Sequence, residues 1–230
     1  MSLIELALVL AFLFLFSIFS HKKKLLNYEG IFIANAVGLA AITYGPNSLL
    51  CFFAVVMFFV IGEIASTYPK KKHEQRNLWN VVGNSLPALA ILSLVVIYPE
   101  YSFYFQLGFF GAISAALADT LSSEIGYYSK SKPVLITTFK KVNRGIDGGV
   151  TLLGEYAALA GSIAIALLYF LVTQEIFSAI VIILAGIVGT NVDSLFGALF
   201  ETKKILNNTH VNLIGSTAGA LFAFLLSFFL

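Results

Sequence analysis

Residues 3–24 read LIELALVLAFLFLFSIFSHKKK, an apolar run closed by His21 and the lysines Lys22–Lys24. A helix of about 20 apolar residues crosses a bilayer core, and basic residues beside such a helix stay on the cytoplasmic side. The run therefore predicts a first membrane span and gives it a direction. It lacks a basic segment ahead of the apolar stretch and an Ala-x-Ala cleavage pattern, so it reads as a retained helix and not as a secretory signal.

The same punctuation recurs along the chain. All 14 Lys and Arg residues fall into four segments, Lys22–Lys24, Lys70–Arg76, Lys130–Arg144 and Lys203–Lys204, separated by long apolar runs. A composition that is 59% hydrophobic and 11% charged, with a mean hydropathy of +0.91, excludes a water-soluble globule. The pattern predicts an all-α, polytopic transmembrane bundle forming a single membrane domain over 1–230. About eight spans are expected, near 3–19, 30–44, 48–67, 78–97, 102–126, 150–172, 176–199 and 211–230; the second is short. Cytoplasmic loops then cover about 21–29, 68–77, 127–149 and 200–210 and hold every Lys and Arg, while Glu5, Glu100 and Glu175 fall outside with both termini. Cys51 is the single cysteine and lies within the third span, so no disulfide forms within one chain.

Small residues mark helix faces. Gly108, Gly111, Ala115, Asp119, Ser122 and Gly126 recur at spacings of three and four in the fifth span. Gly186, Gly189, Thr190, Asp193 and Gly197 do the same in the seventh, and Asn208, Asn212, Gly215 and Gly219 in the eighth. Thr151, Gly154, Ala158 and Gly161 form the stripe of the sixth. Such stripes let membrane helices approach closely, which is reason enough for the glycines. The stripes also turn their polar members into the bundle. A weak internal echo accompanies them: Ala118–Leu121 resembles Val192–Leu195 at two helix ends, and Asn80–Gly83 resembles Asn212–Gly215 at two helix starts.

Ionisable residues within spans cost about 2.5–3.5 kcal/mol each on insertion scales and tend to serve function. Glu63, Asp119, Glu124, Glu155 and Asp193 all lie in the cytoplasmic halves of their spans, within about 15 Å of the inner end at 1.5 Å per residue. Carboxylates gathered on one side call for cations, and Mg²⁺ is the ion that carboxylates and phosphates bind together. Asp119 and Asp193 are the candidate metal ligands. The second candidate is the loop run Lys140-Lys141-Val142-Asn143-Arg144-Gly145-Ile146-Asp147-Gly148-Gly149, where cations precede a glycine turn leading into a helix. Glycines admit phosphate close to the backbone, and a helix start offers free N–H groups. It is not a Walker motif; a loop held inside by its positive charges would also carry such a run. His21, His73 and His210 are too scattered for a zinc site, and nothing points to nucleic acid. The one-sided basic charge suits anionic lipid or phosphorylated substrates.

Three longer motifs carry a resemblance: Arg76–Asn84, Ala118–Gly126 (Ala-Asp-Thr-Leu-Ser-Ser-Glu-Ile-Gly) and Gly145–Gly154 (Gly-Ile-Asp-Gly-Gly-Val-Thr-Leu-Leu-Gly). With Asp193–Ala198 and Asn207–Asn212 they resemble the integral membrane family that includes plant phytyl-phosphate kinase and the animal transmembrane protein nineteen. The likeness runs from about Gly30 to Gly219. Asn80 and Glu201 stand where that family usually has glutamine, which bears on substrate choice. The resemblance implies a CTP-dependent, Mg²⁺-using kinase that converts an isoprenoid monophosphate of phytyl or polyprenyl type to its diphosphate. It implies Mg²⁺ on Asp119 and Asp193, and phosphates on Lys140, Lys141 and Arg144. Asn143, Asp147, Gly148 and Gly149 would hold nucleotide, with Ser123, Glu124, Asn80, Asn84, Asn208 and Asn212 completing the phosphate contacts.

Two other readings stay open. A secondary transporter also uses intramembrane acids and internal repeats, but it needs a site near the midplane reached from both faces. A cytidylyltransferase forming a CDP-lipid would use CTP at the same face, and the sequence does not separate it from a kinase.

Overall fold

The computed structural model describes residues 3–45, 47–67 and 77–230; the basic segment 70–76, with Lys72, His73 and Arg76, and most of the predicted loop 68–77 lie outside the described residues. The described chain forms α1 (Leu3–Lys23), α2 (Tyr28–Tyr44), α3 (Ser48–Thr67), α4 (Leu78–Ser93), α5 (Ser102–Gly126), α6 (Leu152–Thr173), α7 (Ile176–Phe196) and α8 (Asn208–Leu226). The fold is an all-α membrane bundle, as the apolar runs predict. Seven of these helices are long and apolar enough to cross a membrane, α4 only with the 3-10 turn that extends it to Val96, while α2, with 17 residues, is shorter. At 1.5 Å per residue α2 covers only about 25 Å.

Asparagine and threonine caps set several helix starts. Asn27 accepts a hydrogen bond from the Gly30 N–H at 2.8 Å, and Thr151 accepts one from the Gly154 N–H at 3.0 Å. Asn77 and Asn207 form reciprocal capping boxes with Asn80 and His210 at the starts of α4 and α8. Each cap stabilises its helix by about 1 kcal/mol. These caps also show that the echo between the two helix starts is out of register. Asn80 lies 3 residues past its cap, Asn212 lies 5 past its own.

Helix α5 is the central post, buried along most of its length, and α3, α4, α6, α7 and α8 pack around it. Lipid tails are as apolar as leucine, so close backbone approach is what holds such helices together. A Cβ on Gly111 would lie 2.5 Å from the Gly219 carbonyl of α8, and one on Gly189 would lie 2.8 Å from the Gly215 carbonyl. Ser114 of α5 donates to the Ile182 carbonyl of α7 at 3.0 Å. The predicted stripes are thus the contact faces of α5, α6, α7 and α8.

The connections sort by end. Gly83 near the start of α4 faces the Thr209 backbone at the start of α8, and Gly126 at the end of α5 faces Gly154 at the start of α6. Leu26, in the turn after α1, lines one cavity with Asn80 and Asn84 of α4. At the opposite end Asn47 approaches Gln106 near the start of α5, and Tyr104 stacks on Phe228 beyond α8 with ring centroids 4.4 Å apart. The described basic segments, Lys22–Lys24, Lys130–Arg144 and Lys203–Lys204, therefore share one end of the bundle.

The long loop of 127–149 is not bare. Val134–Leu135 (β1) pairs antiparallel with Gly149–Val150 (β2), and Val134 also bridges to Lys141. This small ribbon, which the helical reading leaves out, folds the loop back onto the basic end.

Candidate functional site

Beneath that loop lies a polar cavity of about 220 Å³ where the ends of α5 and α7 meet the starts of α6 and α8. Asp119, Ser122 and Ser123 enter from α5, Asp193 and Ser194 from α7, Thr151 from the cap of α6 and Asn208 from the first residue of α8. The loop adds Arg144 through Gly149.

The carboxyl groups of Asp119 and Asp193 lie within hydrogen-bonding reach of one another. Thr190 Oγ1 donates to Asp119 Oδ1 at 3.5 Å. The Asn212 amide has two orientations to choose from. With its nitrogen toward Asp193 it donates to Asp193 Oδ2 at 3.2 Å and to the Asn208 carbonyl at 3.1 Å; the reverse gives one 3.5 Å bond to Asn84 Oδ1. Two better bonds favour the first, an assignment made from the network.

Beyond Phe196, α7 widens into a π-turn over Gly197–Glu201, closed by the Thr202 N–H on the Gly197 carbonyl at 3.2 Å. Such turns recur at functional sites, and this one delivers Glu201 into the cavity. The loop seats against it through Gly148. At φ +74°, Gly148 presents its bare Cα to α7, where a Cβ would lie 2.5 Å from the Ser194 carbonyl and 2.7 Å from the Ala198 nitrogen. Arg144 ties the loop from the other side, its guanidinium donating to the Ser129 carbonyl.

Among the described residues, the cavity wall holds four carboxylates, Asp119, Asp147, Asp193 and Glu201, against the single guanidinium of Arg144. Like charges gathered away from water are costly unless a cation answers them. No group of three or more His, Cys, Asp and Glu forms a ready-made metal cage among the described residues. The Asp119–Asp193 pair does suit Mg²⁺, which takes one or two carboxylates and fills its remaining positions with phosphate oxygen and water. Backbone polarity divides the cavity further. The starts of α6 and α8 bring positive dipole ends suited to anions, although their caps already hold the Gly154 and His210 N–H groups, while the carboxylates come from the ends of α5 and α7.

Eight of the residues singled out in the sequence line this cavity: Asp119, Ser123, Arg144, Asp147, Gly148, Gly149, Asp193 and Asn208. Asn212 stands behind it on Asp193. Lys140, Lys141 and Asn143 lie outside the lining, exposed on the far strand of the loop, and Glu124 is also outside it. Asn80 and Asn84 face a different cavity, with the Asn80 carbonyl oxygen of the side chain accepting from the Asn77 N–H at 2.9 Å. Glu155 is approached by Asn191 Nδ2 at 3.5 Å. Glu201 was not among the candidates, though the stripe Gly189, Asp193, Gly197 reaches it with one more step of four. Thr151, Ser194 and Tyr127 also join the lining.

A family model described as integral membrane protein DUF92 matches residues 11–220. An uncharacterized membrane protein of Methanocaldococcus jannaschii is 34% identical over 98% of this chain and 95% of its own length. An uncharacterized membrane protein of Synechocystis is 30% identical over 87% of the chain and 82% of its own length. Protein VTE6, chloroplastic, of Arabidopsis thaliana is 32% identical over 86% of the chain and 65% of its own length. No solved structure matches the chain.

Proposed function

The chain belongs to the integral membrane protein DUF92 family, and we propose that it is an isoprenoid monophosphate kinase using CTP and Mg²⁺ at the cytoplasmic face. The observation that carries the reading is the divided cavity, with two carboxylates in mutual reach on helix ends and two helix starts facing them. That arrangement accepts a cation and several phosphate oxygens together. The choice of CTP and of an isoprenoid rests on the resemblance to the family of phytyl-phosphate kinase. The cytoplasmic assignment rests on the basic segments gathered at the cavity end.

The chemistry asks little of the protein beyond placement. A lipid monophosphate presents an oxygen that is already ionised near neutral pH, so no strong base is needed. That oxygen attacks the γ-phosphorus of CTP, the new P–O bond forms, the bond to the β–γ bridging oxygen breaks, and CDP leaves. Charge neutralisation and alignment dominate such transfers. Asp119 and Asp193 would hold Mg²⁺, which when bound supplies neutralising charge to the phosphates. Arg144 would clamp the transferring phosphoryl group with its forked guanidinium. The uncapped first-turn N–H groups of α6 and α8 would donate to the other phosphate oxygens, and Gly148 would keep the loop closed so that water is excluded.

Purified protein in lipid is given phytyl monophosphate with CTP labelled at either the α or the γ phosphorus. Transfer of the γ label to the lipid supports the kinase, and transfer of the α label would instead indicate a CDP-lipid synthase. No transfer of either label with phytyl or shorter prenyl monophosphates would defeat the proposal. Transport is disfavoured by position: Asp119 stands 7 residues from the end of α5, about 10 Å at 1.5 Å per residue, and the cavity opens at the basic end.

A further inference from the structure

A second, apolar cavity lies between α1, α2, α3 and α4. Its walls are aromatic and branched side chains, among them Phe16, Val37, Phe52 and Phe59, and among the described residues its polar lining is confined to Asn80, Asn84 and Ser85. Those three are already engaged along α4. Asn80 takes the Asn77 N–H, Asn84 Nδ2 donates to the Asn80 carbonyl at 2.8 Å, and Ser85 Oγ donates to the Val81 carbonyl at 2.7 Å. The cavity is thus apolar in what it offers a ligand. Apolar pockets between the helices of a bundle are common sites for small molecules.

Its position matters more than its size. The Asn80–Asn84 end lies at the basic side of the bundle. There the side chain of Asn84 comes within 3.5 Å of Asn212, the residue that backs Asp193 in the carboxylate cavity. Two asparagines therefore separate an apolar chamber from a phosphate-type site. From that end the chamber follows α3 from Val60 to Phe52, about 12 Å at 1.5 Å per residue. Phe12 and Val60, both on its lining, are 41% and 46% exposed on the outer surface of the bundle, so it opens toward lipid.

We propose that this chamber receives the isoprenoid tail of the acceptor, placing its first units beside Asn84 so that the phosphate head reaches Asp193. This rests on the kinase reading of the carboxylate cavity and adds to it a site on α1–α4 that selects the tail. A chain that is methyl-branched, single and tethered to a phosphate suits a narrow apolar chamber that ends at polar groups. A diacyl lipid would bring two chains and a bulkier head to the same entrance.

Two measurements test it. First, the wild-type protein in liposomes is irradiated with a 20-carbon isoprenyl monophosphate bearing a diazirine at its far end, and the labelled peptides are mapped. Labels should fall within α1–α4, be competed by unlabelled isoprenyl monophosphate, and drop at least fivefold in Ala34→Phe and Val56→Phe, which fill the chamber. Second, those variants should raise KM for the 20-carbon monophosphate at least tenfold while leaving the CTP-induced thermal shift unchanged. Labels on other helices, labels undiminished in both variants, or equal competition by a diacyl phospholipid would overturn the tail site. If phosphate is transferred but the labels fall elsewhere, the kinase reading stands and the tail site falls. If α1–α4 is labelled competitively but no phosphate is transferred, the reverse holds.

Discussion

Replacing Gly148 with alanine probes how the loop is held on the cavity. Gly148 has φ +74°, and an added Cβ would sit 2.5 Å from the Ser194 carbonyl and 2.7 Å from the Ala198 nitrogen. The left-handed backbone costs a non-glycine residue roughly 1–2 kcal/mol, and forcing an atom into a packed contact costs about 1–3 kcal/mol more. Gly145, three residues earlier, supplies the control: its φ is +81°, yet nothing lies within 4 Å of its would-be Cβ. Gly145→Ala should therefore bear only the backbone cost. The difference of about 1–3 kcal/mol shifts loop docking by roughly 5- to 150-fold, at about 1.4 kcal/mol per decade. Limited trypsin digestion reads this at Lys140 and Lys141, because cleavage of a transiently open segment follows its open population when closing is fast. Gly148→Ala should be cut at least fivefold faster than Gly145→Ala, with a similar unfolding temperature for the membrane helices. Equal rates in the two variants would refute the claim that the Gly148 contact seats the loop.

Asp119→Asn and Asp193→Asn should each lower γ-phosphate transfer by at least a hundredfold, and the double variant should be little worse than either, since groups acting as a unit are not additive; near-wild-type transfer in one single variant would remove the pair from the mechanism. Arg144→Lys should weaken CTP binding at least tenfold by thermal shift, because lysine cannot reproduce the fork, whereas Lys140→Ala and Lys141→Ala, outside the lining, should change it less than threefold. In a Cys51→Ser background, cysteines at 140 and 175 should react with a membrane-impermeant thiol reagent from opposite faces; reaction from one face would overturn the up-and-down topology. Chelation with EDTA should abolish CTP-induced stabilisation and excess Mg²⁺ should restore it, and a CTP shift indifferent to chelation would remove Mg²⁺ from the site.

The bundle was legible because membrane helices announce themselves by length and apolarity, and because lysines cluster at one end of them. The stripe holding Gly111 and Ala115 was equally legible: spacing of three and four is a property of the sequence, and α8 does pack its Gly219 backbone there. What sequence could not supply is how a loop folds over a site. Lys140, Lys141 and Arg144 look alike as one basic run, yet pairing of Val134 with both Val150 and Lys141 turns the lysines outward and leaves Arg144 on the cavity. Glu201 stood out only as a departure from the family's usual glutamine, and its place in the cavity was hidden for a related reason. A helix expected to end near Leu199 continues as a π-turn through Glu201, and a widened turn leaves no mark in hydropathy. Asn80 and Asn84 entered the phosphate set only through what the family resemblance implies. Which side of α4 faces which neighbour depends on tertiary packing, and that packing turns them to the apolar chamber.

The charge balance of the carboxylate cavity explains why these elements meet at the basic end. Its lining carries an excess of three formal negative charges when its carboxylates are ionised, and two of the four acids sit on helices whose C-terminal ends are themselves negative. Such a cluster opposes folding, and a bundle selected for stability alone would replace Asp119 and Asp193 with the small residues that fill the rest of their stripes. The N-terminal ends of α6 and α8 offset part of the repulsion, but they attract anions, which a purely structural arrangement would not need beside four acids. A ligand carrying both signs resolves the conflict. In the proposed kinase a cation would sit between the carboxylates, and its phosphate partners would turn toward the helix starts. The surrounding lysines at Lys22–Lys24, Lys130–Lys141 and Lys203–Lys204 would then act at longer range, raising the local concentration of anionic substrate without occupying the site. On this view exposed lysines such as Lys140 affect encounter and depend on ionic strength, while Arg144 and the aspartates govern the bound state.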